Sequence, residues 1–181
     1  MYSRLFEFDT GRLVAILSKV KQQLPDLAIL TVGAGLFAEQ SADLRQKLES
    51  ADLLNSMIDV GWVEEADLPL TLSAGDVGLY LMDNTLLNAT KCPVKLADMV
   101  ALGIPVVAES VGEVTNYIVD EENGRLFISG DVEGISSALV NLLTDQEMAQ
   151  QLGQNGRVRH EQHFSWAAAA DKLSQRLGGL A

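Results

Sequence analysis

Two lysines flank a proline near the middle of the chain, and this spacing is typical of an anion site. Pro93 suits the first position of a helix, because its ring fixes φ and it lacks the N–H group that would be unpaired there. The next three amides, of Val94, Lys95 and Leu96, would then be free at the positive end of that helix. With Lys91 just before them and Lys95 in the first turn, they predict a site for a phosphate group.

Asp98 follows on the same helix, five residues after Pro93 and so about one and a half turns along. A carboxylate at that distance could accept hydrogen bonds from two hydroxyl groups, as a ribose attached to the phosphate presents them. The alternative is an ordinary amphipathic helix with solvated lysines. The residues alone leave both interpretations open.

Other candidate sites are weaker. Gly33 and Gly35 follow a predicted strand with the spacing Gly-x-Gly, which fits a tight turn better than a dinucleotide site, since no acidic residue ends a following strand at the required distance. His160 and His163 could share a metal, but two ligands make a poor site, and a solvated helix is favoured. The pair 83–84 offers too few carboxylates for a metal clamp, so metal independence is predicted.

The composition limits the class of protein. The chain has 181 residues, with 13 Lys plus Arg against 25 Asp plus Glu, a net charge of -12. This charge argues against nucleic acid or an anionic membrane as a partner, because both need a basic surface. The single Cys excludes an internal disulfide and a Cys-rich zinc module, so the cytoplasm is the expected compartment. No apolar run approaches the ~18 residues of a membrane span.

Short apolar runs alternate with segments of helical period, which predicts an α/β fold of doubly wound, Rossmann-like type. We expect one domain, residues 1–181, with a parallel sheet of about six strands and helices on both faces. The predicted strands are residues 2–6, 28–32, 57–60, 77–82, 104–108 and 125–128. Helices are predicted for residues 13–24, 67–74, 93–102 and 135–142, and for a tail, 146–177, broken near 164–166. Residues 36–54 are predicted to form a helix and its trailing loop. Ligands of such folds bind beyond the carboxyl ends of the strands.

Residues 93–108 read PVKLADMVALGIPVVA. This run resembles the segment P-x-K-L-x-E-Y-M-A-x-G-x-P-V-V-A of retaining glycosyltransferases with two Rossmann domains (the GT-B fold), in the group 1 family that includes sucrose synthases and bacterial mannosyltransferases. Residues 60–77, 111–124 and 164–166 are similar to further stretches of that family, in the same order. The resemblance covers the chain from residue 2 to the end.

The resemblance implies the C-terminal, donor-binding domain of such an enzyme, which moves a hexosyl group from a UDP- or GDP-sugar to an acceptor. Arg4 matches an Arg that holds the diphosphate, Lys95 the Lys of the helix start, and Asp98 the Glu that takes the ribose hydroxyls. Trp62 and Val63 would lie beside the base.

Glu113 would lie near the sugar. Two positions depart from the family pattern: Asp9 stands in place of a phosphate-binding Lys, and Thr90 in place of an earlier Glu. Arg12 or Lys91 could supply the missing cation.

The resemblance also implies an N-terminal Rossmann domain of the same enzyme as partner, which holds the acceptor. We therefore expect the isolated domain to be inactive, name no catalytic residue, and expect no cofactor beside the donor. Two alternatives stay open: half of a sugar-nucleotide epimerase or phosphorylase on the same fold, or a non-catalytic interaction module that has lost its ligand.

Overall fold

A computed structural model describes residues 1–2, 4–33 and 38–178. Strands and helices alternate as predicted. The strands are β1 (Ile29–Thr31), β2 (Met57–Asp59), β3 (Gly78–Tyr80), β4 (Val106–Glu109) and β5 (Arg125–Phe127). The α-helices are α1 (Thr10–Gln23), α2 (Ala38–Ser50), α3 (Leu68–Leu72), α4 (Leu86–Ala89), α5 (Val94–Ala101), α6 (Val114–Tyr117), α7 (Val132–Thr144), α8 (Gln146–His163) and α9 (Trp166–Gly178). Leu5–Glu7 and Leu54–Ser56 form short 3-10 helices.

The strands pair in parallel, but the described residues form two sheets rather than one of six strands. One sheet has the order β1-β2 and the other the order β3-β4-β5. The parallel pairing and the α/β class are confirmed, whereas the strand count differs by one. The missing strand is the first one predicted.

Residue 3 of the predicted strand 2–6 lies outside the described residues; in the described part of that range the prediction is wrong, because the chain forms the 3-10 helix Leu5–Glu7. The carbonyl of Glu7 accepts from the backbone amide of Asp83 at 2.8 Å and from the side-chain amide of Asn88 at 2.8 Å. The Glu7 carbonyl is therefore satisfied without a strand neighbour. Leu5 and Phe8 are buried from this turn, so the apolar run did not require a strand.

Helices cover both faces of the sheets. Successive residues of β3 and β4 point to opposite sides. Leu79 and Val107 belong to a core built with α1, α2 and α7, while Tyr80 and Val106 belong to a second core built with α3, α5 and α6. This alternation explains the almost continuous apolar strands, since both faces are buried. The doubly wound arrangement is confirmed.

Local caps begin several helices. Asp9 is the N-cap of α1, and its carboxylate accepts from the amides of Gly11 (2.9 Å) and Arg12 (3.3 Å). Asp131 and Asp145 cap α7 and α8 in the same way. Such caps each stabilise a helix by about 1 kcal/mol. Asp9 thus has a structural task at the position where the resemblance implies a lysine.

Helix α5 is held in place by α8. A Cβ added at Gly153 would lie 2.0 Å from the carbonyl oxygen of Gly103, so only glycine permits this close approach.

In the described part of the chain, no helix is both long and apolar enough to cross a membrane.

Candidate anion-binding site

The start of α5 differs from the expectation by one residue. Pro93 is the N-cap, with φ -83° and ψ 62°, and the helix begins at Val94. The amide of Val94 donates to the carbonyl of Cys92 at 2.9 Å, so the prediction that it is free is wrong. Leu96 is 0% exposed, which keeps its amide from a ligand in this conformation. Of the three amides, only that of Lys95 has no acceptor among the described residues and belongs to a partly exposed residue.

Lys95 and Arg4 are cations of this corner without a described carboxylate at salt-bridge distance, although Glu7 and Asp98 lie near enough to raise the pKa of Lys95. Among the residues that the structure describes, neither forms a salt bridge. The Lys95 ammonium lies 4.7 Å from the ring centroid of Tyr2, a cation–π contact. Burial and the nearby Arg4 guanidinium lower the pKa of Lys95. A bound anion would reduce the repulsion between the positive charges of Lys95 and Arg4.

Asp98 lies beside these cations. The Tyr2 hydroxyl lies near its carboxylate, and so do the Lys95 and His160 charges. Burial raises the pKa of the Asp98 carboxyl, and these partners oppose the shift. The structure therefore brings Arg4, Lys95 and Asp98 together, as the resemblance implies, and adds Tyr2 between them.

Lys91 and Arg12, the candidates for the missing cation, are both neutralised within the protein. The Lys91 ammonium lies 3.1 Å from the carboxylate of Glu7 and 2.9 Å from the amide oxygen of Asn88. The Arg12 guanidinium lies 2.8 Å from Asp83 and 2.9 Å from Glu109. The structure does not favour either as the extra phosphate-binding cation, because a ligand would first have to displace a carboxylate.

The loops after β1 and β2 meet beside the corner. The amide of Gly33 donates to the carbonyl of Gly61 at 2.7 Å, which ties the two loops together just before Trp62. Trp62 is 82% exposed, whereas Val63 is partly buried against the second core. Residues 34–37, which include the second glycine of the Gly-x-Gly spacing, lie outside the described residues.

Glu113 lies at the exposed start of α6, where its carboxylate accepts from the side chain of Asn116 at 2.7 Å. The preceding Gly112 has φ +53°, and a Cβ there would lie 2.3 Å from the carbonyl oxygen of Ala89. This contact packs the loop after β4 onto the chain that leads to Lys91. Glu113 and Thr90 thus belong to adjacent loops.

His160 lies near Asp98, and burial lowers the pKa of the imidazole, with Asp98 and Glu161 opposing the shift. Within the described ranges there is no group of three or more His, Cys, Asp or Glu side chains placed to hold a metal.

Sequence reasoning missed Tyr2, Glu7 and Asn88. The position of Tyr2, two residues before Arg4, is the one signal that could have drawn attention to it.

The parallel strands, the helices on both faces and the cationic corner beyond the carboxyl end of β3 define a Rossmann-like α/β domain. A family model described as Glycosyl transferases group 1 matches residues 10–145. This match spans most of the chain, so the chain belongs to the group 1 glycosyltransferases. Its fold is that of the C-terminal domain of GT-B enzymes.

Individual relatives agree with this assignment. The phosphatidyl-myo-inositol mannosyltransferase of Mycolicibacterium smegmatis is 26% identical over 162 residues, which are 89% of this chain and 39% of that protein. HepE of Anabaena, solved in complex with UDP, has a TM-score of 0.78 at 20% identity, and the match covers 98% of this chain and 47% of that one. The C-terminal domain of LpcC from Francisella tularensis, a group 1 family protein, has a TM-score of 0.73 at 20% identity, with 91% and 83% covered. The chain spans less than half the length of the curated relatives it matches.

Proposed function

We propose that this chain is the nucleotide-sugar-binding domain of a retaining glycosyltransferase, which moves a hexosyl group from a UDP- or GDP-sugar to an acceptor held by an N-terminal Rossmann domain of the same enzyme. The observation that carries the proposal is the pair of cations Arg4 and Lys95, which form no salt bridge among the described residues and lie beside Asp98 at the start of α5. Membership of the group 1 family supports the transferase activity. The UDP complex of HepE supports a nucleotide donor.

The domain would act by electrostatic stabilisation. As the sugar develops oxocarbenium character, negative charge grows on the departing diphosphate, and fixed cations lower the energy of that state. Arg4 and Lys95, with the Lys95 amide, would contact the diphosphate. Asp98 would accept hydrogen bonds from the hydroxyls of the ribose.

The remaining residues would surround the other parts of the donor. Trp62 and Val63 would contact the base, and Glu113 would lie near the sugar. With two protein cations in the corner, donor binding would not require a metal or another cofactor. The isolated domain would bind the donor without transferring the sugar, because the acceptor contacts come from the other domain.

Calorimetry with UDP and GDP tests the binding directly on this chain. We expect heat of binding with one of the two nucleotides, unchanged after treatment with a chelator. No heat with either nucleotide would contradict the proposal and would favour an interaction module that has lost its ligand. In the two-domain enzyme, turnover with water or phosphate as the only acceptor would instead indicate an epimerase or phosphorylase.

Lys95→Ala provides the residue-level test. In the two-domain enzyme it should slow transfer by about 10² or more, as does the loss of one donor to a developing oxyanion elsewhere. Lys19→Ala is the matched control, because it removes the same charge from a surface ion pair with Glu133. An unchanged rate for Lys95→Ala would overturn the role assigned to Lys95.

A further inference from the structure

The Tyr2 side chain lies beside both charged groups of α5 that the proposed function assigns to the donor. The Lys95 ammonium lies over its ring, with 4.7 Å between the nitrogen and the ring centroid. The Tyr2 hydroxyl lies near the Asp98 carboxylate. One side chain therefore reaches both the group proposed to bind the diphosphate and the group proposed to bind the ribose.

Packing and a backbone hydrogen bond fix the position of this tyrosine. Its side chain packs, partly buried, against the second core, to which α5 contributes Leu96 and Met99. The preceding residue is tied to the chain at the end of β1, because the Met1 carbonyl accepts from the amide of Val32 at 3.0 Å. A tyrosine has only two side-chain torsions, so little conformational freedom remains once its ring is packed. Tyr2 can therefore act as a stiff support.

The ring holds Lys95 without neutralising its charge. Burial and the Arg4 guanidinium lower the pKa of Lys95, so the charged form is disfavoured in this corner, and its flexible side chain would turn toward water. An aromatic face attracts the ammonium and leaves its charge available to a ligand. Lys91 shows the contrast, because the carboxylate of Glu7 lies 3.1 Å from its ammonium and an anion would have to compete with it.

The Tyr2 hydroxyl supports the ionised form of Asp98. Burial raises the pKa of the Asp98 carboxyl, and the nearby Tyr2 hydroxyl and His160 charge oppose this shift. Burial and the Asp98 charge raise the pKa of Tyr2, so the phenol keeps its proton at neutral pH and can donate a hydrogen bond. The two oxygens of an ionised carboxylate offer about four lone pairs, so a bond from Tyr2 leaves room for two ribose hydroxyls.

We propose that Tyr2 is a positioning residue of the donor site: its ring holds the Lys95 ammonium for the diphosphate, and its hydroxyl holds the Asp98 carboxylate for the ribose. This inference rests on the proposed function and adds a residue to it. Tyr2 acts through its two neighbours and needs no contact with the reacting atoms. Donor affinity should therefore depend on Tyr2 in two separable parts, one through the hydroxyl and one through the ring.

Two substitutions in the full chain separate these parts. Tyr2→Phe removes the hydroxyl and keeps the ring, whereas Tyr2→Leu removes both. Calorimetry measures the dissociation constant for UDP or GDP, whichever binds the unsubstituted chain. We expect Tyr2→Phe to weaken binding by about three- to tenfold, because Asp98 loses a neighbouring hydrogen-bond donor. Tyr2→Leu should weaken binding by a further factor of about two to five, as expected for a partly exposed cation–π contact.

Two controls distinguish positioning from a general effect on the fold. With the 2′-deoxy form of the same nucleotide, Asp98 has one ribose hydroxyl fewer to bind, so the loss caused by Tyr2→Phe should shrink to less than about twofold. In a Lys95→Ala background, Tyr2→Leu should bind no more weakly than Tyr2→Phe, since the ring then has no ammonium to hold. A purely structural role would give the same losses with both nucleotides and in both backgrounds. Thermal unfolding checks that each variant is folded at the temperature of the titration.

The outcomes separate this inference from the proposed function. If the unsubstituted chain binds a nucleotide and both variants bind it equally well, Tyr2 has no positioning role, and the proposed function stands. Losses that are the same for the ribose and 2′-deoxy forms and that persist without Lys95 would also overturn the role. No heat with UDP or GDP in the unsubstituted chain would overturn the proposed function and the role of Tyr2 together.

Discussion

Charge pairing decides which basic residues of this protein are available to a ligand. Lys91 and Arg12 are bound to carboxylates, whereas Arg4 and Lys95 are not. The partner of Arg12 that matters most is Glu109, which is 0% exposed and also accepts from the amides of Met82 at 2.6 Å and Gly130 at 2.8 Å. At the residue scale, Arg12 therefore belongs to the interior of the domain and not to its ligand site.

Arg12→Ala should destabilise the protein by about 3–5 kcal/mol, because the Glu109 charge would stay buried without its cation. Chemical denaturation measures the free energy of unfolding. Arg45→Ala is the control, since Arg45 is about half exposed and pairs with Asp59 at the surface, where such a pair contributes less than about 1 kcal/mol. Similar losses in the two variants would show that Glu109 does not depend on Arg12.

At the scale of helices and strands, the candidate site is formed by the loops that follow successive strands. The loops after β1 and β2 are joined at Gly33 and Gly61, and the loop after β4 packs on the end of α4 through Gly112. The helix that carries Lys95 and Asp98 is in turn packed against α8. These backbone contacts hold Gly33, Gly61 and Gly112 in place, and the exposed side chains of Trp62 and Glu113 directly follow two of these glycines.

Gly112→Ala should cost about 2–4 kcal/mol and shift the loop that carries Glu113. The left-handed φ is unfavourable for alanine, and the added Cβ would overlap the backbone of Ala89. Gly130→Ala is the matched control: φ there is +97°, but nothing lies within 4 Å of an added Cβ, so only the backbone strain, about 1–2 kcal/mol, is expected. Thermal unfolding of both variants would check the difference, and equal losses would exclude a steric effect of Ala89.

The whole molecule combines a net charge of -12 with a small cationic corner. Long-range attraction cannot draw an anionic nucleotide to such a protein, so binding must rely on the local contacts of Arg4 and Lys95. A second property of the whole molecule is its interrupted sheet, with the amino group of Met1 buried at the interruption. The buried amino group of Met1 makes the free energy of unfolding depend on pH.

Stability should rise between pH 6 and pH 8 in the chain with a free amino group at Met1. The pKa of that group is about 6 in the folded protein and about 8 in the unfolded chain. The unfolded state therefore binds more protons in this range, and the gain is at most about 3 kcal/mol. This gain in the free energy of unfolding is fully present above pH 8 and is lost as the pH falls toward 6.

Urea denaturation at several pH values measures this dependence. Acetylation of the amino group is the control, because it removes the titrating group and should flatten the curve between pH 6 and pH 8. An unchanged slope after acetylation would assign the dependence to another group.

The class of fold and most helices could be predicted from the sequence because their causes are local. Apolar periodicity marks α1 and α7, Pro25 follows the end of α1, and the break between α8 and α9 falls near residues 164–166 as predicted. The resemblance of residues 93–108 led to the group 1 family, and it placed Arg4, Lys95 and Asp98 in one corner before the structure did.

Only the tertiary structure decided which basic side chains form salt bridges within the protein. Lys91 meets Glu7 across 84 residues, and Arg12 meets Glu109 across 97. The hydrogen bonds that Asp83 and Asn88 donate to the Glu7 carbonyl, at the end of the 3-10 helix, also come from residues far along the chain. Patterns within one helix or strand are encoded by neighbours a few residues apart, whereas the pairing of buried charges and sheet edges depends on segments that meet only when the chain is folded.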